Sequence, residues 1–185
     1  ITCETSETIA RVAKGIIKEN NFNDEINVIN KRSTDLVVGK DLPDKADIVI
    51  SEVLSAGFVG EGVQSTLVDA NRRLLAPDGK MIPESGEIKI ALVGDSKEIK
   101  ESLYVDNICG FDLSKFNMIS GNKFSLKLKN KPRLLSKATL AFKIDLCNLH
   151  EVMEKEIILK LFAEKKGLCY GVIQWIGINI YKEIK

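Results

Sequence analysis

Short apolar runs that alternate with helix-like stretches dominate the first 83 residues, and this alternation constrains the fold more than any other feature. Residues 1–4, 26–30 and 47–51 are short apolar runs typical of strands, and a fourth begins near residue 80. Strands separated by helices predict a parallel sheet with crossover helices. We therefore expect an α/β architecture for this part of the chain.

Two stretches between these runs carry the helix signal. Apolar residues recur at helical spacing within residues 9–17, where Thr5 or Ser6 can cap the helix start, and again within residues 63–74. The basic pair Arg72–Arg73 in the second stretch is expected to lie on the solvated face of its helix. Both stretches are long enough to cross over between parallel strands.

After Pro83 the pattern changes to strands without intervening long helices. Four segments are rich in β-branched and aromatic residues: EIKIALV, ATLAFKIDL, EIILKLFA and YGVIQWIGINIY. This pattern predicts a mainly antiparallel, β-barrel-like domain over residues 84–185, which follows an α/β domain over residues 1–83. There are no internal repeats and no low-complexity linker.

Composition excludes several classes of protein. The chain is 44% hydrophobic and 29% charged with a formal net charge of +1, which argues against a nucleic-acid-binding surface. No apolar run approaches the length of a membrane span, so no membrane partner is expected. The four cysteines are far apart and there is one histidine, which favours a reducing intracellular compartment and no metal site.

Two acids stand where strands end. Glu4 follows the first strand and Glu52 the third, and in open α/β sheets ligands bind beyond these carboxyl ends. Glu4 is suited to accept hydrogen bonds from both hydroxyls of a ribose, or simply to favour the start of the next helix.

Glu61 lies nine residues after Glu52, between two glycines that let the backbone turn sharply. Two carboxylates in one pocket repel unless a cation lies between them, and a guanidinium matches them in charge and shape. The alternative is a pair of solvated loop acids.

The order of the motifs ITCETS, INVINKRSTDL, ADIVISEVLSAGFVGEG, NRRLLAPDGKMIPESGEI and NICGFDLS resembles that of the protein arginine N-methyltransferase family over essentially the whole chain. The most specific element is the double-glutamate loop. Its G-E-G ending and the KRST segment look most like the divergent branch that includes monomethylating and symmetric-dimethylating members.

This resemblance implies roles for five residues. Glu52 and Glu61 match the pair that grips the substrate guanidinium and are the expected catalytic residues. Glu4 matches the acid that binds the ribose of the cofactor, S-adenosylmethionine. Ser33 and Thr34 match the segment that borders the adenine, although many members carry a glutamate where Thr34 stands. No metal is implied.

The resemblance also implies an architecture, a reaction and partners. Residues 1–83 are expected to be the C-terminal part of a Rossmann-like S-adenosylmethionine methyltransferase domain, followed by the barrel-like substrate and dimerisation domain. The expected activity is methylation of arginine guanidino nitrogens in protein substrates, by a homodimer that begins its dimerisation arm at residues 107–114. We expect a cytoplasmic location and leave a nuclear one open.

Two parts of the family pattern are not among these 185 residues: the glycine-rich cofactor turn, expected before Glu4, and a Thr-His-Trp loop, expected after the last strand. We therefore expect an internal fragment that is inactive by itself. The alternative is a non-catalytic methyltransferase-like module for dimerisation or protein binding.

Overall fold

The computed structural model describes residues 1–55, 57–58, 60, 62–126 and 130–181. The chain divides into two compact units. The first consists of Ile1–Ile88, Phe142–Glu156 and Ile176–Lys185, and the second of Lys89–Ala141 and Ile157–Trp175. Within the described ranges, none of the helices has both the length and the apolar character needed to cross a bilayer.

The chain begins with a strand, a helix and a second strand. β1 (Thr2–Cys3) pairs in parallel with β2 (Val28–Ile29). Between them, α1 (Glu7–Glu19) begins after Ser6, whose hydroxyl accepts a hydrogen bond from the amide of Ile9 at 3.4 Å. This is an ordinary N-cap, as the sequence predicts.

A second parallel pair follows. β3 (Ala46–Ile50) pairs with β4 (Leu75–Ile82), and the connection contains α2 (Val63–Asp69) and a π-helical turn (Ala70–Leu74). The register shifts near the start, because Ala46 faces Leu75 whereas Ile48 already faces Lys80. The predicted parallel pairing is confirmed, but the four strands form two separate pairs in the part of the chain that the structure describes.

The third strand differs from the prediction in its burial. The apolar run 47–51 predicts a buried strand, yet Ile48 is 56% exposed and Ile50 is 76% exposed. Among the described residues β3 has only one hydrogen-bonded neighbour, β4. Apolar sequence therefore predicted the strand correctly but not its burial, which depends on the elements packed on each face.

The later part of the chain is built mainly from strands. β5 (Ser85–Gly94) is the central strand of a three-stranded sheet between β8 (Thr139–Asp145) and β9 (Cys169–Asn179), and its residues are divided between the two compact units. The remaining elements, in chain order, are α3 (Lys97–Leu103), β6 (Asn107–Ile108), β7 (Phe111–Asp112), a 3₁₀ turn (Ser114–Met118), β8 (Thr139–Asp145) and β9 (Cys169–Asn179). β6 and β7 form an antiparallel hairpin.

One predicted strand is wrong. The segment EIILKLFA, residues 156–163, forms no strand in the structure. Ile158 is 91% exposed and Phe162 is 75% exposed, so the alternating apolar residues cover no core here. A strand needs a neighbouring backbone for its amides and carbonyls as well as a suitable side-chain pattern, and the pattern alone does not supply that neighbour.

Each unit has its own buried apolar residues. In the first unit, Phe58, Val63, Leu67 and Met81 are each at most 1% exposed. The second unit buries a smaller set, which comprises Ala91, Val93, Ile99 and Leu135. In the first unit this tightest packing therefore comes from α2, β4 and Phe58 in the segment before α2.

Candidate functional site

Glu4 lies directly after β1 and is half-buried. Its Oε1 accepts a hydrogen bond from the amide of Ser6 at 2.7 Å and one from the hydroxyl of Thr5 at 3.3 Å. The carboxylate therefore supports the start of α1, as one of the two predicted roles requires. Among the described residues, no hydrogen bond uses Oε2, which leaves an acceptor for hydroxyl groups of a ligand.

Ser33 and Thr34 follow the neighbouring strand. They lie in a 3₁₀ turn, Ser33–Asp35, after β2, where Ser33 is half-buried and Thr34 exposed. Asn30 connects the end of β2 with the end of β1, because its Nδ2 donates to the carbonyl oxygen of Glu4 at 2.8 Å and to that of Thr5 at 3.0 Å. Glu4, Ser33 and Thr34 thus follow paired parallel strands and lie at the same carboxyl edge.

Arg73 is a site residue that the sequence analysis missed. Arg72 is exposed as predicted, but the Arg73 guanidinium donates to the carbonyl oxygens of Ser33 at 3.1 Å, Thr34 at 3.0 Å and Leu36 at 2.6 Å. The sequence offers one signal for this role: Asp69 lies four residues before Arg73, at the spacing of a helical ion pair.

The prediction of a solvated Arg73 is therefore wrong. Two adjacent arginines on a helix point in different directions, and helical spacing alone did not show that the 33–36 turn lies beside one of them. The hydrogen-bonded carboxylate of Asp69 also raises the pKa of Arg73 above its usual value, which keeps the guanidinium charged.

Glu52 lies two residues beyond the end of β3, exposed at a cavity of about 380 Å³ in the first unit. The described residues that line the cavity are Ile50, Ser51, Glu52, Leu54, Ser55, Ile82, Pro83, Ile176, Ile178 and Ile180, and Glu52 is the only charged one among them. An apolar cavity with one carboxylate suits a ligand that has an aliphatic stem and a cationic head.

The second acid of the pair, Glu61, lies outside the described residues. The structure does describe neighbouring parts of its loop. Phe58 is 1% exposed and adopts a left-handed backbone conformation with φ of 67°, and the amide of Gly60 donates to Ser55 Oγ at 3.0 Å. Gly62 has φ of 74° and caps the start of α2.

These features make Phe58 an anchor for the described part of the loop. A positive φ costs free energy in a bulky residue, so it persists only where surrounding packing enforces it. Among the described residues, no hydrogen bond or ion pair joins Glu52 to Glu4, Ser33 or Thr34. The structure therefore places the three expected cofactor residues at one strand edge, and Glu52 at the rim of the cavity described above.

No cluster of three or more His, Cys, Asp or Glu side chains that could hold a metal ion occurs within the described part of the chain. The donor set at the edge formed by β1 and β2 consists of a carboxylate and the polar groups of a turn. Such groups fit the hydroxyls and base of a nucleoside, since carboxylates accept from ribose hydroxyls at the ends of parallel strands.

Two solved structures define the class of fold. The chain superimposes on the Trypanosoma brucei PRMT1 enzyme-prozyme heterotetrameric complex with AdoHcy with a TM-score of 0.60 at 25% identity, over 82% of this chain and 46% of that chain. It also matches Arabidopsis thaliana protein arginine methyltransferase 10 with a TM-score of 0.54 at 18% identity, over 79% of this chain and 47% of that one. The fold is that of the α/β S-adenosylmethionine methyltransferases.

Sequence comparison shows which proteins the chain resembles. The chain is 34% identical over 181 residues to an arginine N(omega)-methyltransferase of Streptomyces achromogenes subsp. streptozoticus, which covers 97% of this chain and 50% of the relative. It is 25% identical to protein arginine N-methyltransferase 7 of Oryza sativa subsp. indica, over 94% of this chain and 26% of that protein. No protein-family model matches. The chain is thus similar to arginine N-methyltransferases over nearly its whole length, and the resemblance seen in its motifs is confirmed.

The chain spans at most about half the length of these curated relatives. The activity, substrates and partners of the whole protein are therefore matters of inference from the site.

Proposed function

We propose that this chain is part of an enzyme that transfers a methyl group from S-adenosylmethionine to a guanidino nitrogen of arginine in protein substrates. The observation that carries this proposal is the position of Glu52: a carboxylate just beyond β3, at the rim of a cavity whose other described lining residues are uncharged and mostly apolar. An arginine side chain matches that cavity, with a methylene stem for the isoleucines and a planar cation for the acid.

In this proposal Glu52 and Glu61 hold the substrate guanidinium between them. Their negative charges offset the repulsion between two cationic reactants and orient one nitrogen for in-line attack. Hydrogen bonding to the carboxylates concentrates electron density on that nitrogen, whose lone pair is otherwise delocalised. Once methylated, that nitrogen would release one proton, for which Glu52 or Glu61 is the proposed acceptor.

Glu4 with Ser33 and Thr34 is the proposed cofactor edge. The free Oε2 of Glu4 would accept from the ribose hydroxyls, and the 33–36 turn would border the adenine. When bound, S-adenosylmethionine supplies an electrophilic methyl group on a positively charged sulfur. The residues present fit this group because they lie at one edge of a parallel pair and offer oxygen acceptors for its hydroxyls.

The remaining architecture is proposed on the same family relationship. Residues 1–83 are the C-terminal part of the Rossmann-like domain, and residues 84–185 form the barrel-like domain for substrate and dimerisation. The segment from Asn107 onward exposes several large apolar residues, namely Ile108, Phe111, Phe116, Met118 and Ile119. Their exposure supports an arm that binds a second copy in a homodimer, and we place the enzyme in the cytoplasm, with a nuclear location left open.

The test is methyl transfer by the natural polypeptide that carries these 185 residues, measured with an arginine-containing peptide and labelled S-adenosylmethionine. Glu52→Gln and Glu61→Gln preserve shape but remove charge, and each should reduce the rate by at least about 100-fold, the scale of a lost preorganised electrostatic contact. Glu19→Gln, at the exposed end of α1, is the matched control and should retain full activity.

A peptide with lysine in place of arginine should not be methylated. Full activity in either site variant would refute the assignment of these acids. A wild-type polypeptide that binds the cofactor product AdoHcy yet methylates no arginine peptide would favour a non-catalytic binding module instead.

A further inference from the structure

Arg73 connects two parts of the molecule that are far apart in sequence. Its Nε donates to Asp69 Oδ1 and its Nη2 to Asp69 Oδ2, both at 2.6 Å, so the ion pair is bidentate. Nη1 and Nη2 also donate to three backbone carbonyls of the 33–36 turn. All of these groups belong to the first compact unit.

The contacts of Arg73 with Asp69 and with the 33–36 turn form a clamp that differs from an exposed surface ion pair. The side chains of Arg73 and Asp69 are 33% and 26% exposed, and Leu36, whose carbonyl takes one of the bonds, is 4% exposed. An exposed helical pair contributes little to stability because water competes for both partners. Here one rigid planar group binds three carbonyls of one short turn, so the turn is fixed as a unit against the helix.

The two connected segments are the ones that matter for the proposed reaction. The turn contains Ser33 and Thr34, which are expected beside the adenine. Asp69 ends α2, the helix that begins directly after the Glu52–Glu61 loop, and Arg73 lies one turn further on. A displacement of the turn relative to this helix would shift the cofactor edge.

Resting on the proposed function, we propose that Arg73 is a positioning residue for the adenosine end of the cofactor site. With Asp69 orienting its guanidinium, it holds the 33–36 turn in place against the π-helical turn that follows α2. Arg73 does not contact the reacting atoms in this role. It acts through the backbone of Ser33, Thr34 and Leu36.

Arg72 provides a matched control. It is the neighbouring residue on the same helical turn, it is exposed, and its carbonyl oxygen accepts from Lys45 Nζ at 3.1 Å, a contact that survives replacement of the side chain. Arg72→Gln and Arg73→Gln therefore remove the same charge from adjacent positions. Any difference in AdoHcy affinity between the two variants therefore measures the contribution of the Arg73 contacts to the 33–36 turn.

The experiment measures AdoHcy affinity by calorimetry and steady-state methylation kinetics, using the natural polypeptide that carries these residues. For Arg73→Gln we expect the Kd of AdoHcy and the KM of S-adenosylmethionine to rise by about 10-fold relative to Arg72→Gln, the scale of one lost charged contact. The kcat at saturating cofactor and the KM of the peptide should stay within about 3-fold, because Glu52 and Glu61 are untouched. A general loss of structure would not produce this split.

A second variant keeps the test decisive if Arg73→Gln fails to fold. Arg73→Lys keeps the charge near Asp69, but a lysine cannot form the planar fork that reaches three carbonyls. It should fold and still raise the Kd of AdoHcy by about 3-fold or more.

Asp69→Asn should weaken AdoHcy binding through Arg73, so the double variant Asp69→Asn/Arg73→Gln should bind AdoHcy no more weakly than Arg73→Gln alone. An Arg73→Lys or Arg73→Gln variant with the affinity of Arg72→Gln would overturn the inference and leave the proposed function intact. If the wild type binds no AdoHcy, the proposed function itself fails.

Discussion

The substitution Gly86→Ala tests how Phe58 anchors the loop between Glu52 and α2. Gly86 lies in β5 and is buried, and a Cβ added to it would lie 1.9 Å from Cζ of Phe58, with Cε2 at 2.2 Å and Cε1 at 2.7 Å. These separations are roughly half to two thirds of the about 3.5–4.0 Å at which carbon atoms normally rest. Gly86→Ala must therefore displace the Phe58 ring.

The expected cost can be worked out from the burial of that ring. Phe58 is 1% exposed, so the ring has no solvent-filled space to move into without disturbing its neighbours. Overpacking a core costs about 1–3 kcal/mol, and expelling a large apolar side chain to water costs about 1.5–3 kcal/mol. We expect Gly86→Ala to lower the free energy of unfolding by about 2–4 kcal/mol.

The assay is urea unfolding of the natural polypeptide, with Gly57→Ala as the matched control. Gly57 lies in the same loop, and the nearest atom to an added Cβ is Ser55 Oγ at 4.0 Å, so this variant should change stability by less than about 0.5 kcal/mol. Because the ring lies between Glu52 and Glu61 in the chain, Gly86→Ala should also reduce methyl transfer while leaving AdoHcy affinity near that of the wild type.

A double-mutant cycle identifies the cause. If the Phe58 ring is the obstacle, Gly86→Ala should cost almost nothing in a Phe58→Ala background, since the ring is no longer there. The reasoning is refuted if Gly86→Ala costs under about 0.5 kcal/mol in the wild-type background, or costs as much without the ring as with it.

Two further predictions concern the first unit. Glu4→Gln keeps an acceptor for the Ser6 amide, so the free energy of unfolding should not change. Loss of the negative charge should weaken AdoHcy binding by about 1.5–3 kcal/mol. An unchanged AdoHcy affinity, measured by calorimetry, would exclude the ribose role. Asp41 accepts hydrogen bonds from Lys31 Nζ at 2.6 Å and from the amide of Val37 at 2.9 Å, and the first of these is the main cause that lowers its pKa. A lowered pKa means that Asp41 stabilises the fold fully above its unfolded-state pKa of about 3.9 and loses this effect as the pH falls through the folded-state pKa. The Tm of the wild type should therefore exceed that of Asp41→Asn at pH 6, and the gap should close in strong acid; a gap that does not depend on pH would contradict the assignment.

Local sequence determined the elements that rest on local interactions. Ser6 caps α1 and apolar spacing sets its length, while the acids Glu4 and Glu52 follow their strands where the pattern placed them. The order of the motifs also indicated the resemblance to arginine N-methyltransferases, which sequence similarity over nearly the whole chain confirms. These features depend on side chains a few residues apart, so one sequence is enough to predict them.

Tertiary structure alone decided features that depend on distant neighbours. Residues 156–163 (EIILKLFA) have strand-like side chains but form no strand in the structure. Ile50 in β3 is exposed although residues 47–51 form an apolar run. Ser96 caps the short helix α3, which the sequence analysis missed.

The difference between Arg72 and Arg73 shows the reason most clearly. Both belong to one apparently solvated basic pair, yet only Arg73 contacts the 33–36 turn, some 40 residues earlier in the chain. Sequence sets which donors and acceptors are available. Folding decides which of them meet, because the free energy of a buried contact depends on partners brought together by the packing of the whole unit.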